Sequence, residues 1–313
     1  MPTAIAYSEF GGPEVLTLIE APDPAPDAGE VAVRIEAAGV NPIDWKVRGG
    51  LRASGPFTGP RRIGADAAGV ITAVGGAVDG FRIGDDVVVF GASDAYASEI
   101  VVTAEKVQPR PPGVSAAEGA ALGGPVGTAY QALRSLAVGP RDTLLVHAGS
   151  GSVGQAAIQF AILWGATVVA TSSERRFDRV RELGAVPVAY GDGLADRVRS
   201  AAPQGVTVAL DIAGTDEAIE TSLELVADRD RIATLVRGRD AASFGIRAFS
   251  GGSPKPLTAR EQAWRREAIP MTIALLAAGA FSVELGPSFP LSDAAAAHQA
   301  GEDGADGKIT LIP

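Results

Sequence analysis

The segment Gly149-Ser-Gly-Ser-Val-Gly154 constrains this chain more than any other. It follows the apolar run Leu144-Leu-Val-His147 and opens a helical pattern that begins near Val153. Glycines at these places let the backbone turn sharply and let a diphosphate come close. The helix that follows offers the phosphates its first N–H groups and the positive end of its dipole. The motif alone is weak, and its setting makes it specific. Residues 142–147 read as a strand and 153–164 as a helix; 167–171 read as a strand and 174–183 as a helix. Further strands are expected at 187–190, 207–212 and 231–236, with helices at 194–201 and 216–226. This alternation predicts parallel βαβ units, a Rossmann-type doubly wound sheet. An ordinary Gly-rich βα turn is the plain alternative.

The end of the next strand selects the dinucleotide. An NAD site places Asp or Glu about 20 residues past the glycines, on the ribose 2′-OH. Here the residues are Thr171-Ser-Ser-Glu-Arg-Arg176. Hydroxyls stand where the acid would be, and two guanidinium groups follow, a set suited to a 2′-phosphate. The expected cofactor is therefore NADPH, held by Ser172, Ser173 and Arg176. A solvated helix face is the plainer account of Arg175 and Arg176, and Glu174 must turn outward.

The first third of the chain has a different texture. Residues 3–7, 30–38, 69–74, 86–90 and 97–103 are short, rich in Val, Ile and Ala, and separated by Gly, Pro and Asp clusters. That pattern predicts a compact antiparallel barrel-type domain. Ser115, with Glu118 three residues on, marks a helix start. Near the end, 260–279 reads as helical, with Pro270 expected in the first turn of a second helix. Residues 289–300 read as a helix, and 309–312 as a last strand that returns to the first domain.

Composition narrows the chemistry. The 313 residues suggest about two domains. There is no cysteine, and the only histidines are His147 and His298, which excludes thiolate nucleophiles and sulfur-ligated zinc. His147 reads as a core residue of its strand and His298 as a surface residue of its helix. The net charge of −10 disfavours nucleic acid and anionic membranes as partners. No apolar run approaches the ~18–20 residues that span a bilayer. The opening Met1-Pro-Thr-Ala-Ile-Ala-Tyr-Ser-Glu-Phe is not a signal peptide, so a cytoplasmic protein is expected.

At these residues the chain resembles the medium-chain dehydrogenase/reductase superfamily, and within it the zinc-free quinone oxidoreductase branch. The similar segments are Glu9-Phe-Gly-Gly-Pro-Glu-Val-Leu16, Ala37-Ala-Gly-Val-Asn-Pro-Ile-Asp-Trp-Lys46, Gly64-Ala-Asp-Ala-Ala-Gly-Val70, Gly123-Gly-Pro-Val-Gly-Thr-Ala-Tyr-Gln-Ala-Leu133 and the glycine turn. Where zinc-dependent relatives carry a cysteine, this chain has Asn41; where they carry His and Glu, it has Ala65 and Asp66. The resemblance thus implies hydride chemistry with no metal site. It also implies a GroES-like domain over 1–122 and 266–313, a Rossmann domain over 123–265, and a homodimer.

Residue by residue, the resemblance places Asn41 and Thr128 near the nicotinamide, and Ser150, Gly151, Ser152, Val153 and Gly154 on the diphosphate. Ser172 and Arg176 go to the 2′-phosphate, Tyr190 to the adenosine phosphate, and Lys308 returns toward the cofactor. The loop 249–252, beginning with Phe249, flanks the nicotinamide. Reduction needs donors for the developing oxyanion. Asn41 offers an amide N–H and Tyr130 a hydroxyl, and these are the expected catalytic residues; Trp45 and Lys46 would line the mouth. Duller accounts exist: Asn41 caps a turn, Tyr130 packs in a helix, and Asp44 orients Lys46, Arg48 or backbone N–H groups. The expected substrate is a quinone or enone. Reduction of a C=C bond in an enoyl or alkenal compound, and a non-catalytic NADPH-binding redox sensor, are the alternatives.

Overall fold

The structure is a computed structural model that describes residues 1–51, 55–249 and 255–313. The chain divides into two compact units, Met1–Gly124 with Ile269–Pro313, and Pro125–Ala268. The chain passes from one to the other inside the helices Gly123–Ser135 and Ala259–Ala277.

In the first unit the central element is the strand Glu30–Gly39. Its Val, Ile and Ala side chains are almost all buried. It pairs antiparallel with Asp66–Val74, Glu99–Thr103 and Lys308–Ile312. Asp86–Val89, Val107–Pro109 and Leu285–Pro290 complete a seven-stranded sheet among the described residues, and Thr3–Tyr7 joins Thr17–Glu20 and Arg61–Arg62 in a second, three-stranded one. Val31, Val33, Ile71, Val87, Val89, Ile100 and Leu311 form the heart of the core. At ~25 cal/mol per Å2 of apolar surface buried, such residues dominate the stability of the unit.

The second unit is a parallel sheet in the order Val186–Ala189, Thr167–Ser172, Thr143–His147, Val208–Asp211, Ile232–Thr234, Arg247–Ala248. The inner strands are buried on both faces and read as continuous apolar runs. Strand order reverses at Thr143–His147. Ligands of such sheets bind at that switch point, beyond the carboxyl ends of the strands. Both sheet types therefore agree with the sequence expectation.

Several elements differ from it. Leu285–Pro290 is a strand, and the helix after it starts only at Ala294. Its residues are mostly exposed, so no alternation showed there. Pro270 lies inside one continuous helix, Ala259–Ala277, rather than opening a second. Burial of Ala268, Ile269, Thr272 and Ile273 holds this helix together although Pro270 donates no backbone hydrogen bond. Thr17–Glu20, Arg61–Arg62, Val107–Pro109 and Arg247–Ala248 are strands too short or too exposed to stand out in the sequence. His298 is fully buried rather than on the surface. Its helix, Ala294–Glu302, is so rich in alanine that the inward face carries no hydrophobic signature. His147 is the core histidine expected, 3.1 Å from Ser222 Oγ. Burial presses it down to about 4. No described helix is long and apolar enough to cross a membrane.

Candidate functional site

Three strand ends converge in the first unit. Glu30–Gly39 runs antiparallel to both neighbours, so its end meets the start of each. Gly39 is opposite Asp66 on one side and Thr310 on the other. Val40 N–H donates to Ile309 O at 3.0 Å. The next residue, Asn41, is thereby set between Asp66 and Lys308. A Cβ on Gly39 would lie 2.1 Å from Ala120 O and 3.0 Å from Lys308 Cε, so the lysine stem runs through space that only glycine leaves.

Asn41 bridges the two charges. Lys308 Nζ donates to Asn41 Oδ1 at 2.5 Å, and Asn41 Nδ2 donates to Asp66 Oδ2 at 2.8 Å. The ammonium only donates and the carboxylate only accepts, which fixes the amide's orientation. Asp66 Oδ2 also accepts Gly124 N–H at 2.8 Å. Gly123 leaves room for that carboxylate, since a Cβ there would lie 1.9 Å from Asp66 Oδ1. Asn41, Asp66 and Lys308 are all at least 96% buried.

Asn41 also opens the helix Pro42–Arg48. Its N–H donates to Asp44 Oδ2 at 2.8 Å, and that same oxygen accepts Tyr96 OH at 2.8 Å. Burial raises the Asp44 carboxyl to about 6, against the pull of the Asn41 N–H, the Tyr96 hydroxyl and the Lys308 charge. Burial likewise lowers the Lys308 ammonium, and the charges of Asp66 and Asp44 oppose that. The site thus holds one ammonium between two carboxyl groups, in a medium where each charge matters.

Of the two amide N–H groups of Asn41, one goes to Asp66 and the other faces Gly39 O at 3.5 Å. The donor with capacity here is Lys308, whose ammonium has three N–H groups and gives one to Asn41. Asp44 holds a backbone N–H, as its duller account had it. Trp45 packs inside the unit, with its ring 2.8 Å from where a Cβ on Gly301 would be and edge-on to His298. Sequence reasoning missed Asp66 as a partner and Tyr96 altogether, and it put His298 on the surface. The lone acid at the head of the apolar strand Asp66–Val74 was the one available signal.

In the second unit the glycine turn lies at the end of Thr143–His147, as expected. Ala148 takes a left-handed φ of 59°, with its N–H on Thr171 Oγ1 and the Gly149 N–H on Thr171 O. The three glycines divide their work. A Cβ on Gly149 would lie 2.6 Å from Ala170 Cβ, and one on Gly154 would lie 2.3 Å from Ala148 O. These two pack strand to helix. At Gly151 the nearest atom would be Ala148 O at 3.6 Å, and the space beyond is open. Gly151 is the N-cap of the helix Ser152–Leu163, and Gln155 N–H makes the first bond back to Gly151 O. The N–H groups of Ser152, Val153 and Gly154 precede that bond and have no acceptor within the helix. Gln155 Nε2 holds Ser150 O at 2.8 Å.

Ser172 ends the strand Thr167–Ser172, with its hydroxyl on Ser173 O at 3.2 Å. Ser173 precedes the turn Glu174–Arg176, in which Glu174 is exposed and Arg176 half-buried. Tyr190, just past Val186–Ala189, is 61% exposed. Arg265 donates to Thr128 Oγ1. Phe249 is buried under Arg247, whose guanidinium lies 4.8 Å from the ring centroid. The rest of the expected loop, 250–252, lies outside the described residues. Tyr130, the other expected donor, is engaged within its own unit. Its hydroxyl donates to Glu267 Oε1 at 2.5 Å and accepts from Arg134 at 3.2 Å, and its ring meets Phe160 and Trp164 edge-on. Burial and Glu267 raise its pKa further from neutrality.

Residues 27–134 match the family model of the alcohol dehydrogenase GroES-like domain, and residues 152–253 match that of the zinc-binding dehydrogenases. A chloroplastic quinone-oxidoreductase homolog of Spinacia oleracea is 42% identical over 58% of this chain and 59% of its own length. The quinone oxidoreductase of Sus scrofa is 31% identical over 99% of this chain and 97% of its own. Among solved structures, the quinone oxidoreductase of Escherichia coli complexed with NADPH aligns with a TM-score of 0.84 at 28% identity, over 99% of this chain and 100% of that one. With the antiparallel first unit, the doubly wound second unit and the glycine turn in place, the chain belongs to the quinone oxidoreductase branch of the medium-chain dehydrogenase/reductase family.

Proposed function

We propose that the protein is an NADPH-dependent reductase that passes a hydride to a quinone, working in the cytoplasm as a homodimer. The observation that carries this is the open space at Gly151, held between two glycines that packing alone requires. That space and the first-turn N–H groups of Ser152, Val153 and Gly154 suit a diphosphate. Ser150 belongs to the same turn. Ser172 and Ser173 offer hydroxyls, and Arg176 a guanidinium, to a 2′-phosphate, with no acid at the strand end to repel it. Tyr190 presents an exposed ring beyond the next strand. Thr128 and Phe249 are assigned to the nicotinamide.

NADPH, when bound, supplies the hydride. The first unit's own contribution is charge. As the acceptor gains a hydride its oxygen becomes negative, and the Lys308 ammonium is the group suited to stabilise that oxygen and to pass it a proton. Asn41 holds the ammonium in place. Tyr130 is given no part in this scheme, because its hydroxyl already donates to Glu267.

A titration with NADPH and with NADH tests the assignment. Arg176→Ala weakens NADPH binding by about tenfold or more and leaves NADH almost unchanged, as the loss of one charge-assisted phosphate contact requires. Equal loss for both cofactors would refute the role of Arg176. Steady-state turnover of a naphthoquinone tests the acceptor, and light scattering after size exclusion tests the dimer.

A further inference from the structure

Behind Asp44 lies a chain of buried side chains that the reaction scheme does not use. Arg48 Nη1 is 2.9 Å from His298 Nδ1, His298 Nε2 is 3.2 Å from Tyr96 OH, and Tyr96 OH is 2.8 Å from Asp44 Oδ2. Arg48, Tyr96 and His298 are each at least 97% buried. Glu302 anchors the far end, accepting from Arg48 Nη2 at 2.5 Å.

The directions of these bonds are forced. A guanidinium only donates, so His298 Nδ1 accepts and the ring proton lies on Nε2. His298 therefore donates to the Tyr96 oxygen, and the Tyr96 proton has one remaining acceptor, Asp44. Burial and the Arg48 charge keep His298 neutral, at about 3, so the ring does not reverse at ordinary pH. The Tyr96 hydroxyl is held protonated by burial and by Asp44. Every link points toward one carboxyl oxygen.

We propose that Tyr96 and His298 are positioning residues that set the charge Asp44 presents to the Asn41–Lys308 pair. The proposal rests on the role given above to Lys308. The groups facing Asp44 are the Asn41 N–H from its own helix, Asp66 from the adjoining strand, Lys308 from the last strand, and Tyr96. Arg48, His298 and Glu302 act through Tyr96. With Asp44 and Asp66 both ionised, one ammonium faces two carboxylates, and a further negative charge on the acceptor is opposed. With Asp44 protonated, the ammonium faces one carboxylate, and an oxyanion is tolerated. Activity therefore falls as pH rises through the titration of Asp44. The Tyr96 hydroxyl lowers that titration, and its removal raises it.

The test is Tyr96→Phe, which deletes the hydroxyl and keeps the ring. Carboxyl 13C titration, with the Asp44 signal assigned by its loss in Asp44→Asn, reads the charge without any turnover. The Asp44 midpoint moves to higher pH in Tyr96→Phe, and in the same direction in His298→Leu. His298→Gln, whose amide both accepts from Arg48 and donates to Tyr96, restores the wild-type midpoint. In kinetics, the fall of kcat/KM with rising pH moves with the midpoint. At a pH just above the wild-type midpoint, Tyr96→Phe is more active than the wild type. An unmoved Asp44 midpoint in Tyr96→Phe overturns the proposal. So does a midpoint that moves while kcat/KM drops by one factor at every pH. If the wild type reduces no quinone, the functional reading fails, and the carboxyl titration still decides the proposal.

Discussion

Two helices of the first unit start with the same chemistry, an N-cap polar residue followed three positions later by an acid. They use it differently. At Ser115 the box closes on itself. The Glu118 N–H donates to Ser115 Oγ at 3.2 Å, and the Ser115 N–H donates to Glu118 Oε2 at 2.8 Å, both near solvent. At Asn41 only half the box is made. Asp44 accepts the Asn41 N–H, but the Asp44 N–H goes to the main-chain oxygen of Asn41. The Asn41 amide is turned away, to Lys308 and Asp66. A motif worth about 1 kcal/mol to a helix has been given up in part for a buried polar bridge. A side chain withheld from its local structural task points to a task elsewhere.

The comparison breaks most visibly at Lys308. Lys308→Met leaves Asp44 and Asp66 buried with no cation between them, at a cost of about 3–5 kcal/mol in urea unfolding, and quinone turnover is lost. A change below about 1 kcal/mol would mean that the ammonium does not hold the carboxylates. Asn41→Ser sharpens the contrast. Serine caps a helix as well as asparagine does, so a residue that only capped would tolerate it. The expected loss is instead about 100-fold in kcat/KM, the size seen when one preorganised polar group leaves a reacting centre. A neutral Asn41→Ser would return Asn41 to the role of Ser115. The smallest effect is that of Ser115→Ala, about 1 kcal/mol in stability with kcat/KM unchanged.

How far the sequence exposed this site follows from separation along the chain. The glycine turn, its flanking strand and helix, and the serines at the end of the next strand lie within one local pattern, and short spacings were enough to pick them out. Asn41 and Asp44 were each singled out from the segment they share, though not as partners. The distant partners of Asn41 were not paired with it either. Lys308 lies 267 positions away, and the spacing of no motif links the two. Their contact comes from register, with Gly39 opposite Thr310. Asp66 was visible only as an acid among alanines. Tyr96 carried no signal, and His298 was read as facing solvent. Tyr96 precedes its strand in an irregular stretch, and His298 lies in a helix whose alanines hide which face looks inward. Tyr130 differs in the opposite way, because a helical tyrosine does not announce that a glutamate 137 positions on accepts its hydrogen bond.

One arrangement in the first unit bears on how the molecule comes to be made. The strand that brings Lys308 is threaded in beside Glu30–Gly39 only after the whole of Pro125–Ala268 has intervened. A ribosome therefore releases the asparagine and both carboxylates long before their counter-ion exists. Until residue 308 emerges, the nascent unit has an open sheet edge and an uncompensated negative centre. On this view its maturation is a single late event, the docking of that strand, and chemical competence arrives with it rather than building up along the way.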